Sequence, residues 1–269
     1  MTCLKQIAFL ILAVAITGGL ASPLAAQGVL VVEKSTVGGT AQTNQIQIEK
    51  DRMRAETTGP TGEKQAVIFD GTRQVLWIIN VDKKTYNEMT KADVDRLGGQ
   101  MAGAMQQMEA QLRNLPPEQR AQMESMMRGR GMPMTGAAPA KPDYRRAGTD
   151  KVGKWTCNKY EGYQNNLKTS EVCTVEPKDL GFAPADFEVS RQLGEFFRKL
   201  SPQGADQLFS FGKAEEQGFS GVPVRRVSGS GQRQTTSEIT EVSRQAFPAS
   251  TFEVPQGFKK EAAFGGRGQ

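Results

Sequence analysis

The chain has 269 residues, with 34 Lys+Arg against 29 Asp+Glu and no histidine. The missing imidazole excludes Ser-His-Asp and Cys-His nucleophilic sites, histidine general bases and ordinary zinc sites. The net charge of +5 is scattered, in pairs such as Lys83-Lys84, Arg145-Arg146 and Arg225-Arg226. Nucleic acid requires a clustered basic stripe, so the charge reads as a solvated surface, with weak attraction to anionic lipid headgroups left open.

Residues 1–26 read as a cleaved secretory signal. Lys5 supplies the positive start, and residues 7–16 are an uncharged apolar run of ten, too short to span a bilayer. Leu24-Ala25-Ala26 is a small-residue cleavage site. Cleavage removes one lysine and leaves about +4. The expectation is export to the periplasm, with no transmembrane segment after cleavage.

The stretch 47–89 reads as four short strands joined by tight turns. Ile46 and Ile48 share one face against Gln47 and Glu49, and residues 52–56 alternate again. Gly59-Pro60-Thr61-Gly62 breaks the chain, residues 66–69 end at the hairpin signal Asp70-Gly71, and residues 75–79 are a continuous apolar run carrying Trp77. Connections this short imply an antiparallel meander.

Residues 91–127 are predicted helical. Val94, Leu97, Met101, Met105, Met108, Leu112 and Leu115 form one apolar stripe. Pro116-Pro117 breaks it, a second helix covers 118–127, and 129–142 is a flexible Gly/Pro/Ala-rich insert. Eight methionines fall between Met101 and Met134. An adaptable apolar stripe is one reading. Soft thioether binding of Cu(I) by Met123, Met126, Met127, Met132 and Met134 is the other.

Strand resumes near Lys151. Cys157 and Cys173, an even pair once Cys3 is removed, lie in two predicted strands, 151–160 and 171–175, and are expected to form a structural disulfide. Residues 184–200 read as a helix burying Val189, Leu193, Phe196 and Leu200. Residues 219–228 and 233–242 read as strands about Gly229-Ser230-Gly231. Pro223 marks an edge or a bulge. A last short strand is expected at 251–254 and a disordered tail at 261–269.

The run IEKDRMRAE, AVIFDG and VLWIINVDKKTYNEM, with LPPEQRAQMESMMRGRGM, GKWTCNKYEG and FEVPQGFKK, resembles an uncharacterised family of exported bacterial proteins, the domain of unknown function numbered 4412. That family is similar in strand pattern to the LolA/LolB periplasmic lipoprotein carriers. The resemblance implies a half-open antiparallel barrel with helices plugging its concave face and acyl chains held inside. Carriers of that type place a basic residue on an early strand before the Asp-Gly hairpin. Arg52 or Arg54 occupies that place here, and a solvent-facing strand charge is the alternative. The methionine-rich insert departs from the carrier pattern.

The expected fold class is α+β: a curved antiparallel half-barrel with helices on the concave face. Residues 27–260 form one domain, interrupted by the insert at 91–142. The expected function is non-enzymatic, with no cofactor: binding or carrying a lipid, acylated or other hydrophobic ligand. Its interior candidates are Ile46, Ile48, Met53, Ile68, Trp77, Ile79, Met101, Met105 and Met108, with Arg52 and Arg54 as polar candidates. A methionine-rich envelope-stress or Cu(I)-binding protein, and a ligand-free structural envelope protein with a protein partner, are the alternatives.

Overall fold

The computed structural model describes residues 28–59, 62–116, 118–119, 122, 142–198, 200, 218–229 and 234–261. The signal segment, most of the second methionine helix, the Cu(I) candidates Met123–Met134 and nearly all of the 129–142 insert lie outside these residues.

Among the described residues twelve strands build one open sheet, in the order β12-β6-β5-β4-β3-β2-β1-β11-β10-β9-β8-β7. The first six are β1 (Gly28–Val37), β2 (Thr40–Ile48), β3 (Arg52–Thr58), β4 (Lys64–Asp70), β5 (Val75–Asn80) and β6 (Thr85–Thr90). The next five are β7 (Asp143–Val152), β8 (Trp155–Gln164), β9 (Leu167–Val175), β10 (Val222–Ser228) and β11 (Thr235–Gln245), and β12 is Lys259–Lys260. Each run is an antiparallel meander, and β1 joins the two by pairing with β2 on one side and β11 on the other. Among the described residues only β12 pairs in parallel, with β6.

The expected antiparallel sheet is present, but the strand count of the first meander differs. Five strands, β2–β6, share the region expected to hold four, and β1 precedes them. The β1–β2 hairpin turns on Gly38-Gly39, at φ +56° and +87°. Those left-handed angles match the primed turn whose twist suits paired strands. Asn165-Asn166, at φ 51° and 61°, closes the β8–β9 hairpin in the same way. Both strands therefore run further into the residues read as a loop. Pro223 sits at a register shift between Pro223 and Arg225 inside the sheet, the bulge alternative of the two expected.

The concave face is covered by α2 (Glu188–Phe197), entered through a 3-10 turn at Pro184–Phe187. Val189, Leu193 and Phe196 are buried on it, and the Phe196 ring meets Phe69 edge-on at 5.4 Å. The other face of β4–β6 has its own core. Ala66, Ile68, Val75, Trp77 and Ile79 pack under Phe252, with Phe247, Val254 and Phe258 beside them. This cover is a 3-10 turn at Ala249–Phe252, where a strand was expected. Pro248 fixes its entry, and the Thr251 carbonyl accepts a hydrogen bond from Arg54 Nη1 at 3.2 Å.

α1 (Lys91–Arg113) begins on a capping box, with Thr90 and Asp93 exchanging hydrogen bonds. Val94 and Leu112 are buried near its two ends. Between them Met101 is 55% exposed and Met105 36%, and Met108 is half-buried. The stripe is helical as expected, but its centre is not interior. Periodicity fixes a helix face without fixing what meets it, and here the concave face is already taken by α2.

Cys157 and Cys173 are bonded, with Cα atoms 5.5 Å apart on β8 and β9. The bridge staples two neighbouring strands beside Trp155 and Val175 in the concave-face core.

Candidate binding site

Strand alternation decides which side chains reach the concave face. On β2 it is Ile46 and Ile48, and on β3 it is Met53 and Ala55, while Gln45, Arg52 and Arg54 point the opposite way. β1 contributes Val31 and Glu33, β11 contributes Ser237 and Ile239, and β10 contributes Val222, Pro223 and Arg226. Phe182, the 3-10 turn with Asp186 and Phe187, and α2 with Ser190 close over them. Together these residues enclose a cavity of about 510 Å3. That volume falls within the ~300–1,000 Å3 typical of small-molecule sites.

The walls are mostly apolar, and the charged groups at the rim differ in how they are satisfied. Asp186 is held by Arg244, which also donates to the Gly181 carbonyl at 2.9 Å. Its Oδ2 accepts from the Ala183 N–H at 2.6 Å. This network pins the segment from Gly181 to Asp186, which includes Phe182 and ends next to Phe187. Glu33 accepts from Asn44 at 3.4 Å.

Arg226 is different. It is half-buried, and desolvation pushes its pKa down while the fields of Tyr144 and Glu33 oppose that shift. A guanidinium keeps its charge in proteins regardless. Its guanidinium carbon stands 5.4 Å from the centre of the Phe219 ring. Among the described residues no carboxylate lies within ion-pairing distance of it. Its neighbour Arg225 faces the other side of the strand, bonded to Asp150 and to Glu171 Oε1 at 3.3 Å. Arg225 and Lys151 hold the Asp150 carboxyl below its ordinary range.

Three of the nine interior candidates, Ile46, Ile48 and Met53, line the cavity. Ile68, Trp77 and Ile79 do not; they belong to the second core on the opposite face. Met101, Met105 and Met108 do not line it either. Arg52 pairs with Glu49 at 2.6 Å and stacks over Phe252 at 4.9 Å, and Arg54 pairs with Glu56 at 2.7 Å. Both therefore face the C-terminal cover, and Arg54 borders a separate polar cleft of about 290 Å3. Sequence reading missed Arg226, Glu33, Ala55 and Ile239. Alternation through Val222, Val224 and Arg226 was the available signal for the first. Among the described residues no group of three or more His, Cys, Asp or Glu is arranged to hold a metal.

Residues 90–258 match the family described as a domain of unknown function, DUF4412. The chain belongs to the DUF4412 family. No curated protein matches this DUF4412 chain. An uncharacterized conserved protein from Thermus thermophilus is similar in structure at 8% identity and a TM-score of 0.43, over 88% of this chain and 90% of that one. MucB of Pseudomonas aeruginosa, solved with MucA, is similar at 12% identity and a TM-score of 0.36, over 84% of this chain. The DUF4412 chain spans about half of that MucB chain, 54%. Among the described residues no helix is long and apolar enough to cross a membrane.

Proposed function

We propose that this DUF4412 protein is an exported, non-enzymatic binding protein that holds the apolar part of a lipid or acylated ligand between the sheet and α2. The observation that carries the reading is the cavity of about 510 Å3 walled by Val31, Ile46, Ile48, Met53, Phe187 and Ile239. Well-packed interiors leave few voids larger than a water, so an apolar space of this size suits an occupant. The signal-like start and the Cys157–Cys173 bridge support an oxidising, exported setting.

Native mass spectrometry of protein taken gently from the periplasm tests it, alongside an Ala55→Trp variant. Ala55 lines the cavity, and the indole fills part of it. A lipid or acylated adduct on the parent protein, lost in Ala55→Trp, is the expected result. A bare mass after exposure to native lipid extract refutes the reading.

A further inference from the structure

The cavity is chemically asymmetric. Arg226 and its cross-strand neighbour Ser237 stand at the β10–β11 end. Ile48, Met53 and Ala55 form the opposite, wholly apolar end on β2 and β3. A cation removed from water without a carboxylate partner is costly. The neighbouring strand residues show that partners are available to this sheet, since Arg225 has two. Phe219 gives Arg226 only a ring face. Glu33 acts on it at longer range and is itself held by Asn44. At about 510 Å3 the cavity is in the ~300–1,000 Å3 range of sites for one small molecule, the scale of a single acyl chain.

From this juxtaposition we infer that the cavity selects a single-chain amphiphile with an anionic head, a carboxylate or a phosphate monoester. Its head pairs with Arg226 and its tail runs along β1 towards Ile48 and Met53. The inference rests on the binding reading above and adds the headgroup and its residue. Glu33 also lines the cavity, and its carboxylate is engaged by Asn44 rather than by the guanidinium. Planar guanidinium geometry accepts either oxyanion in a two-pronged contact.

The test uses the full mature protein, delipidated and oxidised, titrated by calorimetry with palmitate, palmitoyl lysophosphatidate, monopalmitoylglycerol and inorganic phosphate. Wild type is expected to bind the two charged amphiphiles about 10- to 100-fold more tightly than the neutral glycerol ester. Phosphate alone is expected to show no binding. Arg226→Met should erase that preference while keeping the glycerol ester's affinity, and Arg226→Lys should restore part of it. A preference for one charged amphiphile over the other identifies the head as carboxylate or phosphate. Equal affinity for charged and neutral amphiphiles in wild type, or a preference that survives Arg226→Met, overturns the assignment and leaves the binding reading standing. Failure of every amphiphile to bind wild type overturns both. The wild-type series and Arg226→Lys decide the matter even where Arg226→Met does not fold.

Discussion

Phe196→Ala tests how the cavity is roofed. Phe196 is fully buried, and it meets Phe69 on β4 at 5.4 Å and Phe197 at 5.1 Å, both edge-on. It is the residue of α2 that anchors the helix to the far half of the sheet. α2 has ten residues, too few to be helical on its own in water, so its order depends on this side of its surface. Truncating a buried phenylalanine costs about 3–5 kcal/mol, from lost transfer energy and the hole left behind. The edge-on ring contacts are already counted in that range. The expected loss is about 4 kcal/mol, measured as a shift of the urea midpoint at constant slope. Glu195→Ala on the exposed side of the same helix should stay within about 0.5 kcal/mol of wild type. Because Ser190 on α2 and Phe187 at its N-cap roof the cavity, apolar-ligand affinity should fall with Phe196→Ala. A loss below about 1 kcal/mol would show that α2 is not held through this contact.

Replacing both Cys157 and Cys173 by serine should cost about 3 kcal/mol, the chain-entropy value for a loop of this length, given their sequence separation of 16; a urea midpoint unchanged by reduction would contradict it. Gly28→Ala should destabilise by about 1–3 kcal/mol, because its Cβ would stand 2.5 Å from the Ile48 carbonyl oxygen and 2.6 Å from the Phe247 ring; thermal melting of the variant measures this. Hydrogen bonds from Arg191 and then Gln192 hold the Glu188 carboxyl at about 2, against an ordinary 4.5. A depressed carboxylate pKa stabilises the fold above the unfolded value, so this contribution is present at neutral pH and fades as pH falls from about 4.5 to about 2. Carbon-detected NMR titration of Glu188 should give a midpoint well under the ordinary value, and a midpoint at 4.5 would dissolve the pairing.

The antiparallel meander and the disulfide were legible because each is encoded locally, in alternation, tight turns and an even cysteine count. Which face of a strand meets which cover was not. Residues 66–69 and 75–79 are apolar on both faces, the pattern of strands buried on both sides. Phe69 and Leu76 therefore meet α2 while Ile68, Trp77 and Ile79 meet the C-terminal cover. Treating all of these as one interior merged two cores. The Gly38-Gly39 turn was a hairpin signal in its own right, and β1 is the strand that puts Val31 and Glu33 into the cavity. Met101 and Met105 show the opposite failure, a correct period attached to a face that stays exposed.

Arg225 and Arg226 looked like one basic pair on a solvated surface, and a β-strand splits such a pair across its two faces. The split makes opposite stability effects follow from one chemical change. Arg225→Met removes the partner of Glu171, which is 16% exposed, and of Asp150. Lys159 and Lys168 still hold Glu171, so the loss should be about 1–2 kcal/mol. Arg226→Met removes a half-buried cation that has no carboxylate within ion-pairing distance among the described residues and substitutes an apolar chain of similar length. In delipidated protein that exchange should be neutral or stabilising by about 1 kcal/mol, as when buried charge gives way to packing. A residue that costs stability in the empty protein and gains a partner when ligand binds is the trade-off a binding role predicts. Urea denaturation of the two delipidated variants side by side reads the difference. A loss above about 2 kcal/mol for Arg226→Met would make Arg226 a structural residue of β10, and the anionic-head assignment would lose its physical basis.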